Sequence, residues 1–219
     1  MDSIGIEEVT KKAGILVEAL PYIQQFKGST FVVKYGGAFM DDPNPAVRAS
    51  VAQDIALLAA VGINVVVVHG GGKAISRAMA KSGLVAEFKN GMRVTDEKTV
   101  SIVEDVLNNG VNAEIAEMLQ SQGCRAGRIM GNDVLSCEKL LSTDENGNKI
   151  DLGYVGKVVS VNSEVVEKAI ADGLTPVVSP IAIGADGHPY NTNADVAAAA
   201  VAAALKARRL VFLCDVPGL

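Results

Sequence analysis

The stretch Ile63-Asn64-Val65-Val66-Val67-Val68 constrains the fold more than any other part of the chain. A strand with one face in water alternates apolar and polar residues, whereas this run is apolar on both faces. It therefore predicts a strand inside a parallel sheet, covered by helices on both sides. The run passes directly into His69-Gly70-Gly71-Gly72 and then into a helical pattern over 72–81.

Strand and helix signals alternate through the rest of the sequence. A β-rich segment, 30–35, ends in Gly36-Gly37, and 46–60 is helical. A long helical pattern covers 95–122, with Gly110 expected to break it. Residues 126–129 read as a short strand and 152–161 as hairpin material. A helix over 163–172, a strand over 175–179, an Ala-rich helix over 194–206 and a strand over 210–213 follow. This alternation predicts an α/β fold, a three-layer αβα sandwich around a mainly parallel sheet.

One element stands apart. Residues 5–26 form a helical pattern ahead of the first strand, with Ile6, Val9, Ala13, Leu16, Leu20 and Ile23 on one stripe. Pro21 is expected to bend or break it. Lying outside the sheet, its stripe must pack on its own domain or on another subunit.

Composition removes several classes of function. The 219 residues carry 20 Lys and Arg against 25 Asp and Glu, a net charge of −5. Lys206-Ala207-Arg208-Arg209 is the densest basic run, and aromatics are only 4%, so neither a basic face nor a stacking platform for nucleic acid is present. Cys124, Cys137 and Cys214 are odd in number and lack metal-ligand spacing, which points to reduced thiols and no metal site. Asp2, Glu7 and Glu8 stand where a secretory signal would be basic, and the apolar run 196–205 is too short to span a bilayer. The chain reads as cytoplasmic, with no membrane partner.

Four constellations carry chemistry. The first is the strand running through Gly70-Gly71-Gly72 into a helix, which brings free N–H groups to an anion; a tight turn without ligand is the plainer alternative. It is neither G-x-G-x-x-G nor a P-loop. The second is Lys34 before Tyr35-Gly36-Gly37, a lysine at the strand end where a doubly wound sheet binds ligands. The third is Asn191-Thr192-Asn193-Ala194-Asp195 ahead of a helix: these residues can cap it, or Asn191 and Asn193 can converge on a polar ligand. The fourth is Arg93 in Asn90-Gly91-Met92-Arg93-Val94-Thr95, whose planar fork suits a carboxylate.

In their order and spacing, these four motifs resemble the N-acetylglutamate kinases of the amino acid kinase family, from about Ala13 onward. Glu18-Ala19-Leu20-Pro21-Tyr22-Ile23-Gln24-Gln25-Phe26 resembles the extra N-terminal helix of the arginine-inhibited, hexameric branch. The resemblance implies the amino acid kinase fold and ATP-dependent phosphorylation of the side-chain carboxylate of N-acetyl-L-glutamate, the second step of arginine biosynthesis. It implies that Lys34 stabilises the moving phosphoryl group and that Asp195 orients Lys34. Gly71 and Gly72 would bind substrate through their amides, and Arg93 and Asn191 would hold it, Arg93 on the α-carboxylate. Asp215 would open the nucleotide site for ATP with Mg²⁺. His69 would be structural.

Three regions follow from the resemblance: an oligomerisation helix (1–27), an acetylglutamate-binding domain (28–207) and the start of an ATP-binding domain (208–219), with the C-terminal part of the family fold missing. A homo-oligomer is implied, a dimer or a hexamer built through the N-terminal helix, and arginine inhibition in a longer form. The alternative is a non-catalytic module that binds an acidic amino acid or assembles through that helix.

Overall fold

A computed structural model describes residues 5–40, 44–143 and 147–214. In chain order its first half comprises α1 (Ile6–Phe26), β1 (Thr30–Tyr35), α2 (Gly37–Met40), α3 (Pro45–Ala60), β2 (Asn64–His69), α4 (Gly72–Lys81), the short strands β3 (Phe88–Lys89) and β4 (Met92–Arg93), α5 (Glu97–Asp105), a π-helical turn (Val106–Val111), α6 (Asn112–Ser121) and β5 (Ala126–Ile129). The second half comprises a 3-10 turn (Gly131–Asp133), β6 (Leu135–Lys139), β7 (Ser142–Thr143), β8 (Lys149–Ile150), β9 (Val155–Val161), α7 (Ser163–Ala171), β10 (Thr175–Val178), β11 (Ile181–Gly184), β12 (Pro189–Thr192), α8 (Ala194–Ala204) and β13 (Arg209–Leu213).

The central sheet has the order β13-β1-β2-β10-β5, and every pair in it is parallel. Its valines are buried on both faces, as the apolar run requires. Phe31, Val33, Tyr35, Val65 and Val67 pack on one side against Ala52 and Ile55 of α3 and Ile115 and Leu119 of α6. Val32, Val66, Val68 and Val178 pack on the other against Val166 of α7 and Ala197, Ala198 and Val201 of α8. Each fully buried valine contributes on the order of 1.5 kcal/mol or more. Three layers result, and the family-independent prediction of a doubly covered parallel sheet holds.

The two-residue period of a strand then decides which helix each strand-end side chain meets. Lys34 shares the face of Val32 and so points toward α8. His69 shares the face of Val65 and Val67 and so points toward α6.

A second, closed four-stranded sheet links β6, β9, β12 and β11. β9 pairs antiparallel with β6 and parallel with β12, so the segment expected as hairpin material over 152–161 holds a strand, Val155–Val161, shared between two neighbours. β11 and β12 form a local hairpin within this closed sheet. Two further short hairpins are β3–β4 and β7–β8, and Asn90 joins them by donating to Ser142 Oγ and the Thr143 carbonyl.

Two helix breakers do not break their helices. α1 runs through Pro21 without interruption. The carbonyl four residues back, that of Val17, loses its N–H donor but lies on an exposed face where water can take its place. Gly110 sits inside the wide turn that joins α5 to α6 rather than ending either helix. It is exposed, and its roughly 1 kcal/mol propensity cost is offset by burial of Leu107 and Val111 on either side.

Candidate active site

Every strand of the central sheet delivers its carboxyl end to one edge, and the glycine loop sits there. The Gly70 N–H donates to the Tyr35 carbonyl (3.0 Å), tying the end of β2 to the end of β1. Two glycines are fixed by close approach. A Cβ on Gly71 would lie 2.5 Å from Leu107 Cδ2, and one on Gly36 would lie 2.7 Å from the Leu213 carbonyl oxygen. Gly72 differs: a Cβ there would meet nothing within 4 Å. Among the described residues no acceptor takes the N–H of Gly71 or Gly72, so both remain for a ligand at the start of α4.

Lys34 and Asp195 come together across β1 and the first turn of α8, with Nζ 2.9 Å from Oδ1. The lysine side chain is 16% exposed and the carboxylate 54%. The Asn-rich motif divides between its two possible roles. Asn193 is the cap of α8, its Oδ1 accepting from the amides of Asp195 (2.8 Å) and Val196 (3.1 Å). Asn191, two residues earlier on β12, faces the cleft and reaches Thr95 Oγ1 at 3.5 Å.

Arg93, at the end of β4, is only 6% exposed. Its guanidinium donates to the Gly72 carbonyl and Ser76 Oγ, both at 2.9 Å, and lies 4.7 Å from the centre of the Phe88 ring. Burial lowers its pKa, but a guanidinium stays charged at neutral pH. Among the described residues no carboxylate pairs with it. A buried cation with only neutral partners is costly unless an anion completes it.

These groups border a cavity of about 350 Å³ lined by Gly71, Gly72, Arg93 and Asn191, with apolar walls from Ile75, Leu107, Val155 and Val196. Lys34 and Asp195 stand beside the cavity rather than in its lining, next to the lining residues Asn193 and Ala194. Asp215, expected to open the nucleotide site, lies outside the described residues.

Several groups here escape a motif search. Ser76 orients Arg93 from one turn into α4, and Lys157 of β9 borders the cavity. Below the loop, Asn112 joins three strand ends, its Nδ2 facing His69 Nε2 (3.3 Å), the Val177 carbonyl (2.8 Å) and the Ile129 carbonyl (3.4 Å). Asn108 accepts from Ser179 Oγ, which accepts in turn from the Gly131 amide (2.8 Å). The legible signal was two asparagines, at i and i+4, beside the apolar stripe of Val103, Leu107, Val111 and Ile115. His69 is fully buried, and that burial pushes its pKa down to about 4.

Comparison with known proteins identifies the family. Residues 29–219 match the model of the amino acid kinase family. The chain is 50% identical over 207 residues to the acetylglutamate kinase of Caldanaerobacter subterraneus subsp. tengcongensis, covering 94% of this chain and 67% of that protein. It is 45% identical over 219 residues to the acetylglutamate kinase of Geobacter metallireducens, covering 97% of this chain and 74% of that one. Among solved structures, N-acetylglutamate synthase from Neisseria gonorrhoeae, complexed with coenzyme A and N-acetyl-glutamate, superposes with a TM-score of 0.78 at 25% identity, over 94% of this chain and 46% of that one. Carbamate kinase from Giardia lamblia, at 13% identity and a TM-score of 0.60, shares the fold over 86% of this chain and 76% of its own. On this sequence and this fold, the chain belongs to the amino acid kinase family and, within it, to the acetylglutamate kinases.

Proposed function

We infer that the chain catalyses ATP-dependent phosphorylation of N-acetyl-L-glutamate on its side-chain carboxylate, the acyl-phosphate-forming step of arginine biosynthesis. The observation that carries this is the buried, carboxylate-free guanidinium of Arg93, opening on the same cavity as the two unpaired amides of Gly71 and Gly72. That arrangement suits a small acidic ligand with an apolar flank. The relatives' shared name favours a kinase over a non-catalytic module.

The chemistry asks little of the protein in proton transfer. A carboxylate nucleophile is ionised at neutral pH, so no general base is needed. One carboxylate oxygen attacks the γ-phosphorus of ATP as the bond to the bridging oxygen breaks, leaving ADP and an acyl phosphate. We assign Arg93 and Asn191 to hold the substrate and the amides of Gly71 and Gly72 to bind its oxygens. Lys34 neutralises charge on the moving phosphoryl group, and Asp195 fixes the ammonium in place. Mg²⁺ bound to the ATP phosphates supplies further neutralisation. Residues 28–207 are the substrate domain in this scheme, and 208–219, with Asp215, begin the ATP-binding part.

Assembly is part of the proposal. Residues 1–27 form an arm that pairs with a second copy in a homo-oligomer, and a longer form of the chain would be open to arginine inhibition. Among the described residues no helix is long and apolar enough to cross a membrane, and a biosynthetic role of this kind suits the cytoplasm.

The test is ADP release in the presence of ATP and Mg²⁺. ADP formation that requires N-acetylglutamate, with an acyl phosphate trapped as its hydroxamate, is the expected result. Absence of both turnover and N-acetylglutamate binding would contradict it.

A further inference from the structure

Three adjacent glycines solve one problem at the cleft and create another. Without Cβ atoms on either side, the Gly70–Gly71 peptide can rotate as a unit at little steric cost. One orientation offers the Gly71 N–H to the cleft, and the flipped one offers the Gly70 carbonyl oxygen, which would repel an anion. We propose that His69 is the positioning residue that locks this peptide, its Nδ1–H holding the Gly70 carbonyl inward so that the Gly71 amide faces the substrate. The inference rests on the cleft being an N-acetylglutamate site.

The geometry fixes each part. Nδ1 lies 2.7 Å from the Gly70 carbonyl oxygen, which can only accept, so Nδ1 carries the proton. In a trans peptide the C=O and the following N–H point in opposite directions, and no peptide in the described chain is cis. The imidazole is fully buried, so pulling the Gly70 oxygen toward it aims the Gly71 N–H away from the core, toward the cavity that Gly71 lines.

The other ring nitrogen is committed as well. Nε2 faces the amide nitrogen of Asn112, which also donates to the Val177 carbonyl. That network sets the Asn112 nitrogen on the His69 side, leaving Nε2 unprotonated and the ring neutral. Burial, which disfavours the imidazolium, acts in the same direction. Asn112 begins α6 directly after the π-helical turn, and Leu107 of that turn packs under Gly71. The wide turn thus supports both the ring and the peptide it holds.

Three substitutions separate positioning from packing. His69→Asn keeps a donor at the δ position, His69→Gln moves the amide out to the ε position, and His69→Leu removes it. We expect His69→Leu and His69→Gln to weaken N-acetylglutamate binding about tenfold, and His69→Asn to stay within about threefold of the unmodified chain. Space filling alone predicts the reverse order, since Asn leaves the largest void. Asn binding as poorly as Leu would overturn the proposal. The amide resonance of Gly71 in the ligand-free protein gives an independent reading, needing no substrate. It should hold its position in His69→Asn and move in His69→Leu; an unmoved resonance in His69→Leu overturns the lock even if N-acetylglutamate proves not to be the ligand. If that resonance behaves as expected but the unmodified chain binds no N-acetylglutamate, the functional reading fails and the lock stands.

Discussion

Lys34 and His69 sit at the ends of neighbouring strands, and the parity of each strand assigns them opposite tasks. Lys34 falls on the α8 face and meets Asp195 within 2.9 Å, beside the cleft. A charge that matters as the phosphoryl group moves contributes to the transition state more than to the ground state. Lys34→Ala should therefore lower kcat by at least about a hundredfold while KM for N-acetylglutamate changes little; a raised KM with kcat preserved would make Lys34 a substrate anchor. His69 falls on the α6 face and is buried neutral, with its pKa pushed down from 6.5 to about 4. The unfolded chain takes up a proton at this histidine below about pH 6.5, whereas the folded one resists until about pH 4. Stability is thus unaffected above pH 6.5 and is lost as pH falls through that window, by up to about 3 kcal/mol. Urea denaturation from pH 7 to pH 4 should show the unmodified protein losing that much relative to His69→Asn. A difference independent of pH would mean the ring titrates normally. Lys34, Asp195, Arg93 and the glycines were legible because each is a chemical type at a strand or helix end. Asn112 and Ser76 were not, because a polar residue in a helix announces no partner until the helix is docked.

At the scale of elements, α1 is the piece the core does not use. Ile6 is 86% exposed and Leu16 71%, and Leu20 is exposed as well; the Val9 side chain lies outside the described residues. Only the last turns are anchored, with Phe26 edge-on to Phe31 at 5.3 Å and the guanidinium groups of Arg208 and Arg209 over its ring. An apolar stripe of this length, left uncovered by its own domain, marks a contact surface. Deleting residues 1–25 should lower the mass seen by light scattering and leave the circular dichroism of the α/β core in place. Equal masses for the two chains would show that the helix assembles nothing. The sequence revealed this helix through its period, but Pro21 does not break it, and at Gly110 the α-helical pattern passes through a π-helical turn rather than stopping. Breaker residues act through the local backbone, and in both cases the surroundings, an exposed helix face at Pro21 and buried neighbours beside Gly110, offset the local cost.

For the whole molecule, the parallel sheet and its two helical layers followed from a handful of valines. The closed sheet of β6, β9, β12 and β11 did not: β11 and β12 form a local hairpin, but the pairings of β6 with β9 and β11 and of β9 with β12 join strands separated by 15 residues or more, and no local pattern encodes those. That closed sheet nevertheless supplies Asn191, Val155 and Lys157 to the cleft. The chain spans 67% and 74% of the length of the acetylglutamate kinases of Caldanaerobacter subterraneus and Geobacter metallireducens. Ligand binding tests the cleft more directly than turnover, because it reads the Arg93 contact without the phosphoryl-transfer step. Calorimetric titration of N-acetylglutamate into the unmodified chain and into Arg93→Ala is that test. Saturable binding by the unmodified chain, weakened in Arg93→Ala by roughly 2–4 kcal/mol through loss of a buried charge partner, is expected. Equal affinity in the two proteins, or no binding in either, would contradict the assignment of this cleft to an acidic substrate.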